Sequence, residues 1–172
     1  MLKSSNNKIE EILIRDLRCK HIDKEVSITG ELIEASEVRP QAVLAKFECP
    51  KCETIISVSQ DKEEFTEPYR CSCGKTDGLK LLSKSMVDTQ RLIIGQGKKQ
   101  YCKEYDCKLP SEVIAVFLKE DLCDSKHKIF DRIGKKINVI GKVCESPKTT
   151  KTGGVSVMSE LSLDCEKFEF VR

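Results

Sequence analysis

The sequence predicts a mainly β protein: a small, strongly bent barrel with an inserted metal-bound ribbon and a short helix ahead of the first strand. Three observations support this prediction. Hydrophobic residues recur with a period of two along many short segments, as expected for half-buried strands. Glycines stand inside two of these segments, where a sheet can bend onto itself. Two closely spaced cysteine pairs interrupt the strand pattern, as they do in metal-binding ribbons.

The leading helix is predicted over residues 7–17. Asn7 can cap it, and Glu10 follows three residues later, which is the spacing of a capping box. Four apolar residues recur at helical spacing and share one face: Ile9, Ile12, Leu13 and Leu17.

Strands are predicted along most of the remaining chain. The first alternates from Val26 to Ile33 and bends at Gly30, and Gly141 repeats this device near the other end of the chain. The further candidates are residues 41–48, 54–58, 79–83, 85–94, 111–118, 136–145, 154–160 and 165–171.

The number of short strands and the glycines inside them favour a five-stranded oligonucleotide-binding barrel (OB-fold) over a sandwich. We expect this barrel to comprise residues 1–45 and 81–172, with residues 46–80 inserted as a zinc-binding ribbon. A proline and a pair of glycines punctuate the last strands, so a long β-hairpin is expected at about 145–160.

The overall charge is nearly balanced, which limits how the protein can hold a polyanion. The 172 residues include 30 lysines and arginines against 28 aspartates and glutamates, a net charge of +2. A protein that binds nucleic acid by bulk charge needs a larger excess, so any such site must be a local patch. Aromatic residues make up 5% of the chain and tryptophan is absent, which leaves few rings for base stacking.

The chain contains no hydrophobic run of the roughly 18 residues that cross a membrane. Its first residues are polar and lack the apolar stretch of a secretory signal. We therefore expect an intracellular, cytoplasmic protein with no membrane partner.

The strongest chemical signal is a set of four cysteines in two tight pairs. The pairs are Cys49 with Cys52 and Cys71 with Cys73. Four thiolates complete the tetrahedral coordination of zinc and leave no open position, so the sequence predicts a structural Zn²⁺ site. A ribbon of this size buries too little surface to fold alone, and metal binding is expected to supply its folding energy.

Neighbouring residues complete the expected metal site and leave one alternative open. Gly74 gives the second pair a permissive backbone, and Phe65 and Tyr69 are expected to cover the sulfurs. The second pair has a single spacer residue, which is unusually tight. Cys102 and Cys107 therefore remain alternative ligands.

The sequence contains no catalytic constellation. Gly74-Lys75-Thr76 resembles the end of a phosphate-binding loop, but the position where that loop needs its first glycine is Tyr69. His21 and His127 lack partners at the spacings that nucleophilic catalysis uses. We expect the chain to have no enzymatic activity of its own.

Local positive charge occurs in two regions. Residues 91–108 carry five cations against two carboxylates. Lys148 and Lys151 stand beside glycines at the expected hairpin tip, where they can approach a phosphate backbone. Ordinary solvated turns give the same pattern, and Arg39 fits equally well as a surface salt-bridge partner.

Ordered motifs across most of the chain resemble the N-terminal domain of the minichromosome maintenance (MCM) helicases of archaeal type. The clearest is Phe47-Glu48-Cys49-Pro50-Lys51-Cys52. The matching segments are residues 14–24, 26–30, 35–40, 47–52, 65–71, 88–92 and 118–122. The resemblance implies an OB barrel with an inserted zinc ribbon. Domains of this family assemble into hexameric rings around single- or double-stranded DNA, associated with the chromosome.

The resemblance also implies roles for individual residues. It places Lys148 and Lys151 of the late hairpin at DNA, and it assigns single-strand contacts to Arg39 and Arg91. Residues 95–110 correspond to the loop that communicates with the ATPase tier of the ring. The residues predicted for that inter-tier loop are Gln96, Lys98 and Lys99.

The sequence departs from the family pattern at several points. Gly95-Gln96-Gly97-Lys98-Lys99 and Gly134-Lys135-Lys136 stand where the family commonly has acidic residues, and Walker motifs are absent. Two functions are therefore compared. The first is the DNA-binding, ring-forming N-terminal module of an MCM-type replication helicase, whose full-length relatives are ATP-dependent DNA helicases. The second is a stand-alone MCM-like protein-interaction module with little DNA binding.

Overall fold

The computed structural model describes residues 9–60, 64–102, 107–123, 128–149 and 155–171. The strands are β1 (Glu10–Glu11), β2 (Glu25–Ala35), β3 (Arg39–Glu48), β4 (Ile55–Ser59), β5 (Lys80–Cys102), β6 (Cys107–Lys119), β7 (Lys136–Thr149) and β8 (Val155–Phe170). The helical turns are of the 3-10 type, at Ile14–Asp16, Cys19–His21, Glu120–Leu122 and Ile129–Arg132. The prediction of a mainly β protein is confirmed. In this described part of the chain, no helix has the length and apolar character needed to span a bilayer.

The chain divides into two compact units. The larger one comprises Met1–Val38 and Gln90–Arg172, and the smaller one is Arg39–Thr89. Strand β5 contributes its early residues to the smaller unit and its later residues to the larger one. The sequence-based bounds of 46–80 for a zinc-binding ribbon stay a prediction.

The larger unit contains a closed five-stranded barrel. Its strands are hydrogen-bonded in the order β2, β7, β8, β6 and β5, and a further pairing joins β5 back to β2. That closing pairing runs antiparallel from Glu31 opposite Gly95 to Ala35 opposite Leu92. Strands β6 and β8 are parallel, with Val116 opposite Leu163. Closure satisfies the backbone groups that an open sheet would leave unpaired at its edges.

The barrel interior is filled by the apolar side chains of alternate strand positions. In β2 the residues alternate between buried and half-exposed from Val26 to Leu32. The fully buried barrel residues are Ile28, Leu32, Leu92, Ile94, Val116, Leu118, Ile129, Ile137, Val139, Val143 and Leu163. Each such side chain contributes about 1.5–3 kcal/mol relative to solvent exposure.

The predicted leading helix over residues 7–17 is wrong for most of the described residues 9–17, where only Ile14–Asp16 forms a short 3-10 helix. Glu10 and Glu11 form strand β1, which pairs in parallel with the start of β2, and the Ile12 N–H donates to the Ser27 carbonyl at 2.9 Å. Ile12 and Leu17 are buried, but Leu13 is 44% exposed. The edge of β2 therefore takes up the backbone donors that a helix would have used internally, and tertiary pairing overrides the local pattern.

Two predicted strand breaks are also wrong. Candidates 79–83 and 85–94 are one continuous strand, β5, and candidates 154–160 and 165–171 are one strand, β8. Register shifts in the β3–β5 and β7–β8 pairs mark β-bulges that bend these strands without ending them.

The predicted bends at Gly30 and Gly141 coincide with places where backbones approach closely. A Cβ atom at Gly30 would lie 2.8 Å from the Gly95 carbonyl oxygen. One at Gly141 would lie 2.3 Å from the Asp164 carbonyl oxygen and 3.0 Å from the Cys165 Cα. Only glycine allows β7 and β8 to pack at this separation.

Gly141→Ala is expected to lower the free energy of unfolding by about 1–3 kcal/mol, because the new methyl group meets rigid backbone atoms. Chemical denaturation followed by circular dichroism measures the change. Ser146→Ala, at an exposed position of the same strand, is the control and should leave the midpoint nearly unchanged. An unaltered midpoint for Gly141→Ala would show that the strands are not packed as described.

Candidate metal centre and candidate nucleic-acid interface

The first cysteine pair lies in the turn between β3 and β4. The last paired residues of this hairpin are Glu48 and Ile55. Within the turn, the Cys49 N–H donates to the Thr54 carbonyl at 3.1 Å, and the Glu53 N–H donates to the Cys49 carbonyl at 2.8 Å. Glu53 adopts a left-handed backbone, with φ of 58°. These bonds fix the backbone that carries Cys49 and Cys52.

The second pair lies in a tight turn at residues 71–75. The Cys71 N–H donates to the Lys75 carbonyl at 2.8 Å, and the Gly74 N–H donates to the Cys71 carbonyl at 2.9 Å. Gly74 has a φ of 92°, which glycine adopts without steric cost.

The two turns bring the four predicted ligands together. All four sulfurs lie within 4.8 Å of one another. Cys49 Sγ is 3.6 Å from Cys73 Sγ, and Cys52 Sγ is 3.6 Å from Cys71 Sγ. A Zn–S bond of about 2.3 Å in a tetrahedron places sulfurs about 3.8 Å apart, so the quartet has the size and donor set that zinc requires. The two turns therefore bring four thiol donors close enough to bind one metal ion.

Burial and pKa values differ among the four thiols. Cys49 and Cys71 are buried, Cys73 is half-buried and Cys52 is exposed. The hydroxyl and backbone N–H of Thr54 stabilise the Cys52 thiolate and lower its pKa to about 6. The Lys75 backbone N–H favours the Cys73 thiolate, but the neighbouring Cys52 sulfur and desolvation outweigh it and raise the pKa of Cys73 to about 11.

The backbone around Cys49 also favours its ionised form. Burial raises the pKa of Cys49, but hydrogen bonds from the N–H groups of Lys51 and Cys52 outweigh that effect, so the net pKa is lowered. Closely packed thiolates repel one another, which is the electrostatic condition that a divalent cation relieves.

The prediction that Tyr69 covers the sulfurs is wrong. Tyr69 is 87% exposed. Phe65 instead packs on the buried Phe47, with ring centroids 6.2 Å apart, and the Lys84 ammonium lies 4.3 Å from the Phe65 ring centroid. Gln60, which the sequence analysis missed, holds the nearby loop.

The Gln60 side-chain amide forms two hydrogen bonds with the backbone of Thr66, as a neighbouring strand would. Its amide nitrogen donates to the Thr66 carbonyl, and its amide oxygen accepts from the Thr66 N–H, both at 2.8 Å. Gln60 is 5% exposed, so these bonds are shielded from water. Hydrophobic periodicity contains no signal for such a contact.

The structure places the two predicted single-strand arginines in different units. Arg39 is exposed at the first position of β3, and its carbonyl accepts a hydrogen bond from the Thr89 hydroxyl at 3.1 Å. Arg91 is exposed on β5. Its N–H donates to the Ser36 hydroxyl at 2.9 Å, and the buried Gln90 donates to the Ser36 carbonyl at 2.9 Å. These bonds fix the backbone below Arg91 while its side chain faces solvent.

The predicted inter-tier segment 95–110 is not a loop for most of its length. Strand β5 continues to Cys102 and β6 begins at Cys107. Gln96 is half-buried: its side-chain oxygen accepts from the Ile14 N–H at 2.7 Å, and its amide nitrogen donates to the Thr29 carbonyl. Gln96 therefore tethers the leading segment to the barrel.

Lys98 and Lys99 are exposed, as an interaction role requires, and Lys99 forms an ion pair of 2.7 Å with Glu31. Cys102 and Cys107 lie in β5 and β6 of the larger unit, and their side chains are outside the described part of the chain.

Of the two predicted hairpin lysines, only Lys148 falls within the described part of the chain, near the end of the β7–β8 pair. The antiparallel register continues to Thr149 opposite Val155. Lys148 belongs to β7, with a side chain that is not described, and Lys151 lies outside the described residues.

A comparison with protein families identifies the chain. The model of the MCM OB domain matches residues 12–147. This chain belongs to the MCM OB domain family. The expected resemblance is therefore confirmed.

Individual MCM proteins give the same result at lower coverage. The chain is 40% identical over 58 residues to the DNA replication licensing factor mcm6 of Schizosaccharomyces pombe, covering 34% of this chain and 6% of that protein. It is 22% identical over 153 residues to Mcm6 of Drosophila melanogaster, covering 87% of this chain and 18% of that protein. The chain thus spans less than a fifth of either relative.

A solved structure with the same fold is the N-terminal domain of an archaeal MCM. It matches with a TM-score of 0.69 and 20% identity, over 94% of this chain and 62% of that one. The closed five-stranded barrel is accordingly an OB-fold, as the sequence predicted.

The quartet is expected to bind one metal ion that stabilises the smaller unit of this MCM OB domain. Cys71→Ser should reduce bound zinc well below one equivalent and lower the melting temperature, because one of four ligands is lost. Elemental analysis and thermal unfolding measure both. Cys19→Ser, at an exposed thiol outside the quartet, should retain metal and stability. Full zinc content in Cys71→Ser would refute the assigned ligand set.

Metal affinity is expected to fall as the pH decreases. At pH 7.5 the Cys52 thiol, with a pKa of about 6, is ionised, but the Cys73 thiol, with a pKa of about 11, is protonated. Zn²⁺ binding should therefore release at least one proton at pH 7.5. Affinity should fall further below pH 6, where protons also compete at Cys52. Calorimetry in buffers of different ionisation enthalpy measures the release, and pH-independent affinity would contradict these ionisation states.

Proposed function

We propose that this chain is the DNA-binding, ring-forming N-terminal module of an MCM-type DNA replication helicase. The observation that carries the proposal is the family match over residues 12–147, combined with the closed OB barrel. OB barrels bind single strands in shallow surface grooves by contacts with the phosphate backbone and by base stacking.

The proposed metal is Zn²⁺, held by Cys49, Cys52, Cys71 and Cys73 in a structural role. Sulfur–sulfur distances of 3.6 Å in both cross-turn pairs support this assignment. The ion would neutralise the crowded thiolates and join the two turns. Zinc sites of this kind contribute on the order of 10–16 kcal/mol to folding.

The proposed DNA contacts are Lys148 and Lys151 at the late hairpin, with Arg39 and Arg91 as further contacts to single strands. Arg39 and Arg91 are both exposed and stand on hydrogen-bonded strand backbone, which supports a role in binding. Because the net charge is only +2, each subunit should bind DNA weakly and without sequence preference. Several weak sites around a hexameric ring would add up through effective concentration.

A motor would be supplied outside this stretch of sequence. The relatives are much longer than the matched region, and we propose that an ATPase domain is the partner of this module in its ring. In the proposed ring, Gln96, Lys98 and Lys99 would lie on the side that communicates with that domain. The module itself would not be catalytic, and it would act inside the cell on chromosomal DNA.

The balanced charge favours a second candidate, a protein-interaction module with little DNA binding. Few aromatic residues are available for stacking, and Gln96 is engaged within the fold. This candidate keeps the barrel and the metal site but predicts no dependence on the hairpin lysines.

DNA binding by the hairpin is tested with the double variant Lys148→Ala/Lys151→Ala. Fluorescence anisotropy with a labelled oligo-dT strand should show an affinity about 3- to 10-fold lower than wild type at 50 mM NaCl. The slope of log K against log salt should decrease in magnitude by about 1.4, since each phosphate contact to a single strand contributes about 0.7.

The control is Lys20→Ala/Lys24→Ala, which removes the same charge from exposed positions elsewhere in the larger unit. It should bind DNA like the wild type. Equally weak binding by wild type, control and hairpin variant would favour the protein-interaction module.

A further inference from the structure

A nine-residue segment away from the hairpin tip carries a strong local charge. Residues 128–136 contain four cations, Lys128, Arg132, Lys135 and Lys136, against one carboxylate, Asp131. This segment alone has a charge of +3, which exceeds the +2 of the whole chain. All four cations are exposed. A positive field of this density attracts polyanions even when the whole protein is nearly neutral.

The strand register brings a fifth cation to this surface. Lys136 stands directly opposite Glu31 in the β2–β7 pair. Glu31 in turn accepts an ion pair from Lys99 of β5 at 2.7 Å. Lys99 and Lys136 therefore flank one carboxylate, which Lys99 already neutralises. We call the surface formed by Lys99, Lys128, Phe130, Arg132, Lys135 and Lys136 the basic rim.

Apolar side chains are exposed on the basic rim and beside it. Phe130 and Ile133 are each 47% exposed, and Val171 is 45% exposed. The Arg132 guanidinium lies over the Phe170 ring, 5.4 Å from its centroid. Arg132 is exposed, and a guanidinium is planar and stacks on a nucleobase as an aromatic ring does.

The backbone of the basic rim is fixed. Leu32 of the barrel core accepts a hydrogen bond from the Gly134 N–H at 2.7 Å and donates to the Lys135 carbonyl at 3.0 Å. The Val171 N–H donates to the Lys136 carbonyl at 3.0 Å. The cations and the exposed ring are thus presented from a rigid support, which lowers the entropy cost of binding a ligand.

We propose that the basic rim is a second contact surface for single-stranded nucleic acid, in which Lys135 and Lys136 bind phosphates, Phe130 and Arg132 stack on bases, and Lys99 compensates the charge of Glu31. Alternating cations and flat rings are the combination that holds single strands without sequence preference. The rim lies at the start of β7, 13 residues from Thr149 at the tip end, or roughly 40 Å along the strand. The partner class rests on the proposed function, but the surface is separate from the hairpin.

The charge contribution is tested with the triple variant Arg132→Gln/Lys135→Gln/Lys136→Gln. Oligo-dT affinity at 50 mM NaCl should fall about 10-fold, because two phosphate contacts and one stacking guanidinium are lost, and the salt slope should decrease in magnitude by about 1.4, as expected for the phosphate contacts of Lys135 and Lys136. The matched control is Lys20→Gln/Lys24→Gln/Lys167→Gln, which removes the same charge from exposed positions of the larger unit. Thermal unfolding of both variants checks that the barrel is intact.

Stacking is tested directly by Phe130→Trp. The chain has no tryptophan, so the variant contains one fluorophore, at the basic rim. Titration with oligo-dT should quench its fluorescence. The affinity of this variant for oligo-dT should stay within about 3-fold of the wild-type value, because tryptophan stacks at least as well as phenylalanine. Phe130→Ala should weaken binding several-fold with the salt slope unchanged.

The outcomes separate this inference from the proposed function. If the hairpin variant loses affinity while the triple variant binds like its control and Phe130→Trp shows no quenching, the basic rim is not a DNA surface and the proposed function stands. If wild type binds no DNA, both are overturned. If labelled poly-glutamate binds at the rim as tightly as oligo-dT, with the same dependence on the triple variant, an acidic protein segment is the partner and the nucleic-acid assignment fails.

Discussion

The pairing of β2 with β5 is the contact on which the barrel depends. It joins the first and last members of a row of five strands, so that the larger unit has a closed interior rather than an open sheet. Closure at this point demands close backbone approach, and Gly30 and Gly95 lie at the contact without side chains that would block it. The same pairing sets the position of Glu31, and through it the neighbouring cations Lys99 and Lys136. The strand register that closes the barrel therefore also positions these surface charges.

The smaller unit is stabilised by different means. It has about 50 residues and buries few large apolar side chains, among them Phe47, so a hydrophobic core contributes little. The side-chain bonds of Gln60 hold its loop, and four thiols converge where the proposed metal ion would join its two turns. Metal coordination would stabilise a unit of this size, since one ion joins ligands that are distant in sequence.

Local sequence patterns predicted the parts of the fold that depend on local chemistry. Alternation predicted β2, β3 and β4 nearly to their ends, and cysteine spacing predicted the quartet. The leading helix failed because its amphipathic spacing also suits a strand edge: the Ile12 N–H bonds to Ser27, a partner that no window around residue 12 reveals. The breaks within β5 and β8 failed because bulges bend a strand without a turn signal. The prediction that Tyr69 covers the sulfurs failed because residue type does not determine side-chain direction.

The functional surfaces were less predictable, because they too depend on contacts between residues that are distant in sequence. Lysines are common on solvated turns, so sequence alone does not separate a DNA contact from an ordinary surface residue. The basic rim is partly contiguous in sequence, at residues 128–136, yet Lys99 joins it only through the register of three strands. Both segments are places where the sequence departs from the MCM pattern, and the structure brings these departures together.

We propose that this MCM OB domain, with one metal ion in its smaller unit, assembles into a ring on DNA. Native mass spectrometry of the protein, purified without chelator and mixed with a single-stranded oligonucleotide, tests each part of this claim at once. The account predicts a hexamer that carries one zinc ion per subunit and one bound strand. A spectrum of metal-free monomers with no bound DNA would contradict it.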